Sequence, residues 1–415
     1  MLKKIPLLFL ILFSSIGFAQ EDYTLMFYNL LNFPEAPPSN RASILNSILD
    51  NVQPDIFMVC ELQNEAGANL ILNQVLNDTN EVTYAMPDFE LNTSSSFQEL
   101  QQHLFYDESK FSLNFTDIIQ TQLRDINYYQ LEVLNNTESA ALYLDIFVAH
   151  LKAAQGTTNE IIRSNMVSDF TAYLANLPED ANVIFAGDFN LYTANESAFL
   201  QLVMGQSTIS FSDPINTIGD WNNNPSFANI HTQSTRTSNN NFDDFGAGGG
   251  MDDRFDFIMV SNNIMEAEND ITYKENTYVA YGNNGNCYNK NISDTSCLGE
   301  FNQATRNLLY LMSDHLPVVM EVTNQNASLS NSNWNASNTL LSFPSGNIVE
   351  QELYIKFHAS VDASTTINIY NQIGQKVYSF KKISNSTIID VSFLSSGIYF
   401  VKLENFSENY KFLKQ

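Results

Sequence analysis

The sequence is poor in basic side chains. Its 415 residues include 19 Lys and Arg against 46 Asp and Glu, which gives a formal charge of −27 at pH 7. Between residues 20 and 338 there are ten basic and forty acidic side chains, so this part alone carries −30. Proteins that hold a polyanion over a broad face do so with Lys and Arg that displace counterions. The composition excludes such a face, and a phosphate-bearing ligand would need a bound cation to reverse the local field.

Long apolar segments are also missing, and no stretch is long enough to span a bilayer. An apolar run at residues 5–18 follows the basic start Met-Leu-Lys-Lys and ends in Gly17-Phe18-Ala19. This pattern is typical of a secretory signal peptide cleaved before Gln20. We therefore predict that residues 1–19 are a signal peptide, that the remainder is secreted, and that no transmembrane segment remains after cleavage.

Cysteine is scarce, and the three cysteines allow at most one internal disulfide bond. Cys287 and Cys297 lie in one polar, asparagine-rich segment, where a bridge is favoured in an exported protein over the alternative of two free thiols. Cys60 stands beside Glu61 in an apolar run, which favours a small buried side chain over a nucleophile.

Composition divides the chain after the signal peptide. Residues 20–322 contain apolar runs and helical patterns sufficient for a large core, and we predict one catalytic domain there. Residues 323–338 are rich in Asn and Ser with almost no charge, as in linkers. Residues 339–415 hold short alternating segments separated by turns, which predict a small all-β sandwich.

Polar residues recur where predicted strands of the large domain end. The clearest case is Asn182–Ala186, an apolar run followed by Gly187, Asp188 and Asn190. Two residues apart on an extended chain, Asp188 and Asn190 would share one side of the sheet. The competing interpretation is an Asx turn that merely closes a strand. Six further polar residues stand at or near strand ends: Asn29, Glu61, His150, Asp256, Asp314 and His315.

This set of side chains suits phosphate chemistry at a metal. Carboxylate and amide oxygens ligate hard cations such as Mg²⁺. Histidine titrates near neutrality, and an aspartate partner fixes its tautomer. A single histidine is more often a core residue satisfied by hydrogen bonds, but two of the five histidines here lie at strand ends within polar motifs.

Six short motifs in a fixed order resemble the endonuclease/exonuclease/phosphatase superfamily, which includes deoxyribonuclease I, abasic-site endonucleases, neutral sphingomyelinases and inositol-polyphosphate 5-phosphatases. The resemblance covers Asp22–Val322, and its motifs are Tyr28-Asn29-Leu30-Leu31-Asn32, Cys60-Glu61-Leu62-Gln63, Ala149-His150-Leu151-Lys152-Ala153, Gly187-Asp188-Phe189-Asn190, Arg254-Phe255-Asp256-Phe257-Ile258 and Ser313-Asp314-His315-Leu316-Pro317-Val318. Each motif is weak alone, and their shared order carries the resemblance.

The resemblance implies an α/β fold, a four-layered α/β sandwich of two mostly antiparallel sheets flanked by helices, that cleaves phosphoesters with Mg²⁺, Mn²⁺ or Ca²⁺. By position, it assigns a set of metal-site residues and a set of catalytic residues. The metal set is Asn29, Glu61 as direct ligand, and Asp314. The catalytic set is Asp188 to position and deprotonate water, Asn190 as its partner, His315 oriented by Asp256, and His150 at the phosphate or leaving group.

Several residues stay open at this stage. Family members often pair the first histidine with a carboxylate or place a tyrosine in the middle strands, and the candidates here are Glu99, Tyr106 and Tyr143. Arg124, Lys152 and Arg163 would suit phosphate, but a solvated helix or strand face is favoured for each. The acidic cluster Asp243, Asp244, Asp252 and Asp253 lacks EF-hand spacing and is expected to be a solvated loop instead of a Ca²⁺ site.

The C-terminal segment resembles a second family, the C-terminal sorting domain of the type IX secretion system of Bacteroidetes. The motifs are Ser342-Phe343-Pro344, Asn368-Ile369-Tyr370-Asn371, Gly374-Gln375-Lys376-Val377 and Gly397-Ile398-Tyr399-Phe400-Val401-Lys402, with a lysine-containing end at residues 411–414. This resemblance implies the secretion machinery as partner and an extracellular or cell-surface location. A carbohydrate-binding β-module is the alternative.

Together these features predict a secreted, metal-dependent phosphodiesterase, with an endonuclease acting on DNA or RNA as the leading hypothesis. A phospholipid phosphodiesterase of the sphingomyelinase type or a phosphomonoesterase is the first alternative, although the sequence shows no convincing aromatic hairpin for a membrane. A non-catalytic secreted adhesin is the second, and the intact Asp188, Asn190 and histidines argue against it.

Overall fold

The structure is a computed structural model that describes residues 19–78, 82–93, 100–136, 140–205, 207–327, 341–343, 348–349, 351–357, 365–382, 386–404 and 409–415. Contacts divide the chain into two units, Met1–Ser332 and Asn333–Gln415. The described strands of the first unit are β1 (Ala19–Phe33), β2 (Ile56–Leu62), β3 (Tyr84–Ala85), β4 (Gln101–Asp107), β5 (Phe111–Ile119), β6 (Ile126–Val133), β7 (Tyr143–His150), β8 (Val183–Asp188), β9 (Phe211–Ser212), β10 (Asp256–Ser261), β11 (Ile271–Tyr273), β12 (Val279–Ala280) and β13 (Val318–Ala327).

These strands form two sheets. One has the order β11-β13-β1-β2-β4-β3, with β12 also paired to β13, and the other has the order β5-β6-β7-β8-β10-β9. Each sheet contains one parallel pair, β1 with β2 and β7 with β8, while the other pairs are antiparallel. The prediction of two mostly antiparallel sheets is therefore confirmed.

The central strands are buried on both faces, and alternate residues along each strand divide the core into layers. On β1 and β8, Leu25 and Ile184 belong to a core cluster shared by both sheets. Their neighbours Met26 and Phe185 point the other way, each into a separate outer cluster that also contains helix residues. The result is helix, sheet, sheet, helix, which confirms the four-layered sandwich.

Helices cover the two outer faces. One face carries α1 (Arg41–Val52), α2 (Glu65–Ile71) and α6 (Gln303–Met312), and the other carries α3 (Thr157–Tyr173) and α4 (Ser197–Val203), whereas the short α5 (Asn262–Met265) packs Ile264 into the core between the sheets. On α1, Ile44, Leu45, Ile48 and Leu49 recur at helical spacing and are buried in one outer cluster. That periodicity is the reason why this helix was predictable.

Two details of the helical layers differ from expectation. The apolar spacing of residues 160–176 predicts that Ile161 of α3 faces the core, but this side chain is 55% exposed. The polar composition of the segment before Ser313 predicts a loop, but the structure has helix α6 there. The Asn302 side chain caps this helix by accepting a hydrogen bond from the Thr305 N–H, and Leu309 anchors it in the outer core.

The last strand of the large domain extends further along the chain than the composition suggested. Strand β13 continues to Ala327, so residues 323–327 of the predicted linker belong to the sheet. There Thr323 pairs with Asp22 and Ala327 with Ala19. The rest of the linker, like the predicted signal peptide up to residue 18, lies outside the described residues.

The C-terminal unit is all-β in the part that the structure describes. Its strands are β14 (Leu341–Ser342), β15 (Ile348–Val349), β16 (Glu352–Phe357), β17 (Thr366–Asn371), β18 (Lys376–Lys381), β19 (Ser386–Asp390), β20 (Gly397–Leu403) and β21 (Asn409–Lys414). They form a three-stranded sheet, β14-β16-β19, and a five-stranded sheet, β15-β21-β20-β17-β18. Alternate residues such as Leu353 and Ile355 build one core, which confirms the predicted β-domain. Among the described residues of both units, no helix has the length and apolar character needed to cross a membrane.

The disulfide bond between Cys287 and Cys297 is confirmed, with a Cα–Cα distance of 5.3 Å. Both cysteines are buried in an outer core cluster. A bridge that closes so short a loop stabilises the fold by about 3 kcal/mol in the chain-entropy model.

We expect the double variant Cys287→Ser/Cys297→Ser to melt about 5 to 10 °C lower than the wild type. Reductant should lower the melting temperature of the wild type and leave that of the variant unchanged. Equal melting temperatures for the two proteins would contradict this role.

His103 of β4 is buried among the rings of Phe89, Phe105 and Tyr129. Neither ring nitrogen has a hydrogen-bond partner among the described residues. Burial lowers the pKa of His103 to about 3. The unfolded chain binds a proton at this histidine below pH 6.5 and the folded chain does not until about pH 3, so acid destabilises the fold over that window.

We predict that His103→Phe removes this acid sensitivity. Relative to the wild type, the variant should gain about 2 kcal/mol in the free energy of unfolding when the pH falls from 8 to 5. Urea unfolding of both proteins at the two pH values measures the difference. If the free energies of unfolding of the variant and the wild type differ by the same amount at pH 8 and pH 5, His103 does not titrate on unfolding in this window.

Candidate functional site

Strand register brings the predicted residues together. In the second sheet, His150 at the end of β7 is paired with Asp188 at the end of β8, and Asp188 is paired with Asp256 at the start of β10. In the first sheet, Asn29 of β1 is paired with Cys60 of β2, next to Glu61. The two rows meet through the Asn29 side chain, whose Nδ2 lies 3.0 Å from Asp188 Oδ2.

Asp188 lies at the centre of the cluster. Its Oδ2 accepts a hydrogen bond from Asn29 and lies 3.5 Å from His150 Nε2 and 3.7 Å from His315 Nε2. Burial raises the pKa of Asp188 to about 7, the charge of His315 opposes this rise, and the charges of Asp256 and Glu61 add to it. A carboxylate with this pKa can accept a proton near neutral pH.

The turn after β8 is an Asx turn whose aspartate also takes part in the cluster. Asp188 Oδ1 accepts a hydrogen bond from the Asn190 N–H at 3.1 Å, which is the Asx turn. The other oxygen of the same carboxylate points into the cluster. Asn190 has a φ of 50° and donates from Nδ2 to Leu151 O at 3.3 Å. Gly187 is required because a Cβ there would lie 2.3 Å from Ala149 O.

Asn29 and Glu61 form the first-sheet side of the cluster. Asn29 Nδ2 donates to Glu61 Oε1 at 3.0 Å, and the Asn32 N–H donates to Glu61 Oε2 at 3.2 Å. Glu61 has a φ of 57°, so the chain turns within β2 and the side chain is aimed at this site. Burial, followed by the charge of Asp314, raises the pKa of Glu61. The half-buried carboxylate of Glu61 and the buried carboxylate of Asp188 thus share a single amide group.

His315 is held from its other side. Its Nδ1 lies 2.8 Å from Asp256 Oδ2, which fixes the ring and directs Nε2 toward Asp188. Burial lowers the pKa of His315, but the charges of Asp256, Asp188 and Asp314 outweigh it and hold the pKa well above its usual value. The ring is therefore a proton donor at neutral pH. Asp314 and His315 precede β13 by a short loop and are not its first residues.

His150 differs from His315 in its electrostatics. Burial, with the charges of Arg124 and His315, holds the pKa of His150 well below its usual value. Its Nδ1 has no hydrogen-bond partner among the described residues. One histidine of the site is therefore a neutral ring at neutral pH and the other is charged, so the two can do different work.

The expected surface arginines are buried. Arg124 donates to the carbonyl oxygens of His150, at 2.8 Å, and Leu151, and Arg163 forms an ion pair with Glu196 at 2.7 Å. The prediction of solvated faces was wrong for both, because each guanidinium satisfies backbone carbonyls or a carboxylate inside the fold. Lys152 is half-buried and donates from Nζ to Ala153 O at 2.7 Å.

Neither candidate for the tyrosine of the middle strands lies beside His150. Tyr143 is the first residue of β7 and His150 the last, which separates them by about 23 Å along the strand. Tyr106 is paired with Ile56 at the opposite end of β2 from Glu61. The third candidate, Glu99, lies outside the described residues.

Asp314 reaches the cluster through a residue that the sequence did not reveal. Asp314 Oδ2 accepts hydrogen bonds from the Ala247 N–H at 2.6 Å and from Gln233 Nε2 at 3.1 Å. Gln233 Nε2 also lies 2.6 Å from His315 Nε2. We missed Gln233 because it lies inside the long polar region at residues 212–250, where amide side chains are common and no strand end marks it.

The acidic cluster near the glycines separates into two pairs. Asp243 and Asp244 are exposed, as expected for a solvated loop. Asp252 and Asp253 are half-buried, and burial raises the pKa of Asp253 to about 7, against a hydrogen bond from Asn222. The second pair therefore departs from a freely solvated loop.

Two groups of side chains have ligand atoms within 4.8 Å of one another: Glu61, His150 and Asp188, and Asp188, Asp256 and His315. Asp314 belongs to neither. Within the described part of the chain, His150 Nδ1, Asp256 Oδ1 and Asp314 Oδ1 are buried without hydrogen-bond partners. Carboxylate oxygens with an amide and an imidazole suit Mg²⁺, Mn²⁺ or Ca²⁺, with Mg²⁺ preferring the oxygens. The donor set fits a divalent cation, which would also offset the charge of two buried carboxylates.

Comparison with known proteins gives a firm result for the C-terminal unit. Residues 347–414 match the family described as the secretion system C-terminal sorting domain. This confirms the sorting tail that the sequence motifs predicted. No curated protein matches the chain significantly.

Several solved structures have a similar architecture. The chain is 16% identical to D. rerio TDP2 in complex with a single-strand DNA product, with a TM-score of 0.47, and the match covers 72% of this chain and 98% of that one. The catalytic domain of human Nocturnin is 16% identical, with a TM-score of 0.45, and the match covers 74% of this chain and 96% of that one. An endonuclease/exonuclease/phosphatase family protein from Bacteroides thetaiotaomicron is 14% identical, with a TM-score of 0.45, and the match covers 74% of this chain and 96% of that one. These values describe a likeness in chain path.

Proposed function

We propose that residues 20–322 form a divalent-metal-dependent phosphodiesterase of the endonuclease/exonuclease/phosphatase type, and that its substrate is DNA or RNA. One observation carries the proposal. The Asp188 carboxylate, with a pKa of about 7, lies within 3.0 to 3.7 Å of an amide and two histidines that are held in different protonation states. In-line displacement at phosphorus needs a positioned water, a base and neutralised charge; the cluster offers a base and a charged donor, and a cation bound there would supply the remaining positive charge.

The roles follow from the contacts. Asp188 accepts the proton of the attacking water, and the Asn190 N–H fixes the orientation of its carboxylate. Charged His315, anchored by Asp256, donates from Nε2 to a phosphoryl oxygen. His150 remains neutral and is assigned to the phosphate or the leaving group.

Asn29 and Glu61 would hold the cation, with Glu61 as direct ligand, and Asp314 would supply a further carboxylate. The cation supplies positive charge against the phosphoryl oxygens. The formal charge of −30 over residues 20–338 makes that contribution necessary, since the protein offers a polyanion little other attraction.

Location follows from the tail. The sorting-domain match at residues 347–414 supports export by the secretion machinery, in keeping with the predicted signal peptide. We therefore place the activity at the cell surface or outside the cell, where an enzyme that degrades nucleic acid has access to substrate.

The test is a substrate panel with the full chain. Plasmid DNA, RNA, sphingomyelin and a chromogenic phosphodiester are incubated with Mg²⁺, Mn²⁺ or Ca²⁺, and in parallel with a chelator. Cleavage of plasmid and RNA that stops with chelator and is lost in His315→Ala supports the proposal. Turnover of sphingomyelin without nucleic-acid cleavage would replace it with the lipid alternative. No turnover of any phosphoester would favour the non-catalytic adhesin.

A further inference from the structure

Gln233 lies against the functional site through its backbone. It forms isolated β-bridges with both Asp253 and His315. On either side of it, the Thr235 N–H donates to Asp314 O at 2.9 Å and the Leu316 N–H donates to Thr232 O at 2.7 Å. The segment at residues 232–235 therefore runs beside the Asp314-His315 segment as a short extra strand, and its position relative to His315 is fixed by main-chain hydrogen bonds.

The Gln233 side chain enters the cluster with its nitrogen first. An amide nitrogen only donates, and Asp314 Oδ2, which only accepts when ionised, lies 3.1 Å from it. The same nitrogen lies 2.6 Å from His315 Nε2, and because charged His315 also carries a hydrogen there, neither donor can satisfy the other. Gln233 is half-buried, whereas Asp188, His150 and His315 are buried. The amide thus lies on the accessible side of the cluster.

We propose that Gln233 is a phosphate-binding residue of this site and donates a hydrogen bond to the same phosphoryl oxygen that His315 contacts. This inference rests on the proposed phosphodiesterase function. An oxygen that accepts a hydrogen bond from His315 Nε2 lies within reach of an amide nitrogen only 2.6 Å from that atom. One amide N–H is available to the oxygen, because charged His315 cannot accept it, while the other N–H stays on Asp314.

A purely structural role for the amide is not required by its neighbours. Asp256 already anchors the His315 ring at Nδ1, and the Ala247 N–H already donates to Asp314 Oδ2. Both groups keep an independent support when the Gln233 side chain is replaced. Among the described residues, the other amide near His315 Nε2 is Asn29 Nδ2, which lies farther away, at 3.4 Å, and is engaged by Glu61 and Asp188. Gln233 therefore supplies the amide on the accessible side of the cluster.

The test uses two replacements of similar length. Gln233→Met keeps the shape and removes the donor, and Gln233→Glu keeps the shape and offers only acceptors. We expect each to lower kcat/KM for a chromogenic phosphodiester about 100-fold, as for loss of one donor to a transition-state oxygen. The inhibition constant of inorganic phosphate, measured with Mg²⁺, should rise about tenfold in both. The matched control is Gln130→Met, which removes an amide that donates to the buried carboxylate of Asp145 at the other end of the sheet.

The outcomes separate the two proposals. If the wild type is active, His315→Ala is inactive and Gln233→Met stays within threefold of the wild type, the role of Gln233 is wrong and the proposed function stands. If Gln233→Glu retains activity while Gln233→Met does not, Gln233 merely holds the His315 ring, because a carboxylate can accept from Nε2–H. If the wild type hydrolyses no phosphoester, the proposed function itself is wrong. Melting temperatures of all variants within a few degrees of the wild type exclude misfolding as the cause of a loss.

Discussion

Replacing Asp188 with asparagine is expected to lower kcat/KM for phosphodiester hydrolysis by a factor of about 10³. The amide has nearly the shape of the carboxylate and can still accept the hydrogen bond from the Asn190 N–H. It cannot accept a proton from water. It also removes the negative charge that faces His150 and His315, which are 3.5 and 3.7 Å away. The loss should therefore fall on kcat, since the group acts on the reacting water.

The matched control is Asp145→Asn. Asp145 is also a buried aspartate of the second sheet, and it is the third residue of β7, far from the end that carries His150. Its carboxylate accepts from Gln130 Nε2 at 2.8 Å and takes no part in the cluster. We expect that variant to keep kcat within a few fold. Steady-state kinetics at pH 8 and melting curves of both variants make the comparison, and an Asp188→Asn enzyme within tenfold of the wild type would exclude Asp188 as the base.

The fold was largely predictable because its central strands are buried on both faces. Such strands leave continuous apolar runs in the sequence, and the residue that follows each run marks the sheet edge. Asp188 and His150 were found in this way, and the parallel pairing of β7 with β8 then places them side by side. Polar residues at several strand ends converge because the strands end at a common edge.

Side chains that enter the site from loops, or from inside the protein, were not predictable by the same reasoning. Gln233 is one amide among many in a long polar region, and only its hydrogen bonds to Asp314 and His315 distinguish it. Arg124 looked like a surface cation because nothing in the sequence marks the carbonyl oxygens of residues 150 and 151 that it binds. Burial of a charged side chain depends on partners that only the tertiary structure brings together.

The site also shows why single motifs are ambiguous. Asp188 is both the acceptor of an Asx turn and the centre of the cluster, so the bland and the functional interpretation of its motif do not compete. One carboxylate oxygen makes the turn, and that hydrogen bond aims the other oxygen at Asn29. The local turn thus contributes to positioning the reactive group.

Removal of the metal is expected to abolish hydrolysis, and Glu61→Gln is expected to reproduce that loss in the presence of metal. Glu61 and Asp188 are carboxylates of one small group whose pKa values are both raised, by burial first and then by other nearby charges. A divalent cation relieves this arrangement and binds the folded state alone, so 10 mM Mg²⁺ should raise the melting temperature of the wild type by several degrees. Neutral glutamine removes the charge that holds the cation. The melting temperature of the variant should therefore hardly change with Mg²⁺, and its activity should fall about 10³-fold.

The exposed residue Glu266 supplies the matched control, because Glu266→Gln changes the net charge equally and lies outside the cluster. That variant should keep both the thermal shift and the activity. Chelator followed by Mg²⁺ or Mn²⁺ should restore wild-type hydrolysis and leave Glu61→Gln inactive. Because protonation of Asp188, whose pKa is about 7, removes a negative charge beside the cation, the thermal shift should shrink as the pH falls from 8 to 6. A Glu61→Gln protein that retains a full metal-induced shift would move the cation to the second group, formed by Asp188, Asp256 and His315, and would leave Glu61 with a role in orienting Asn29 alone.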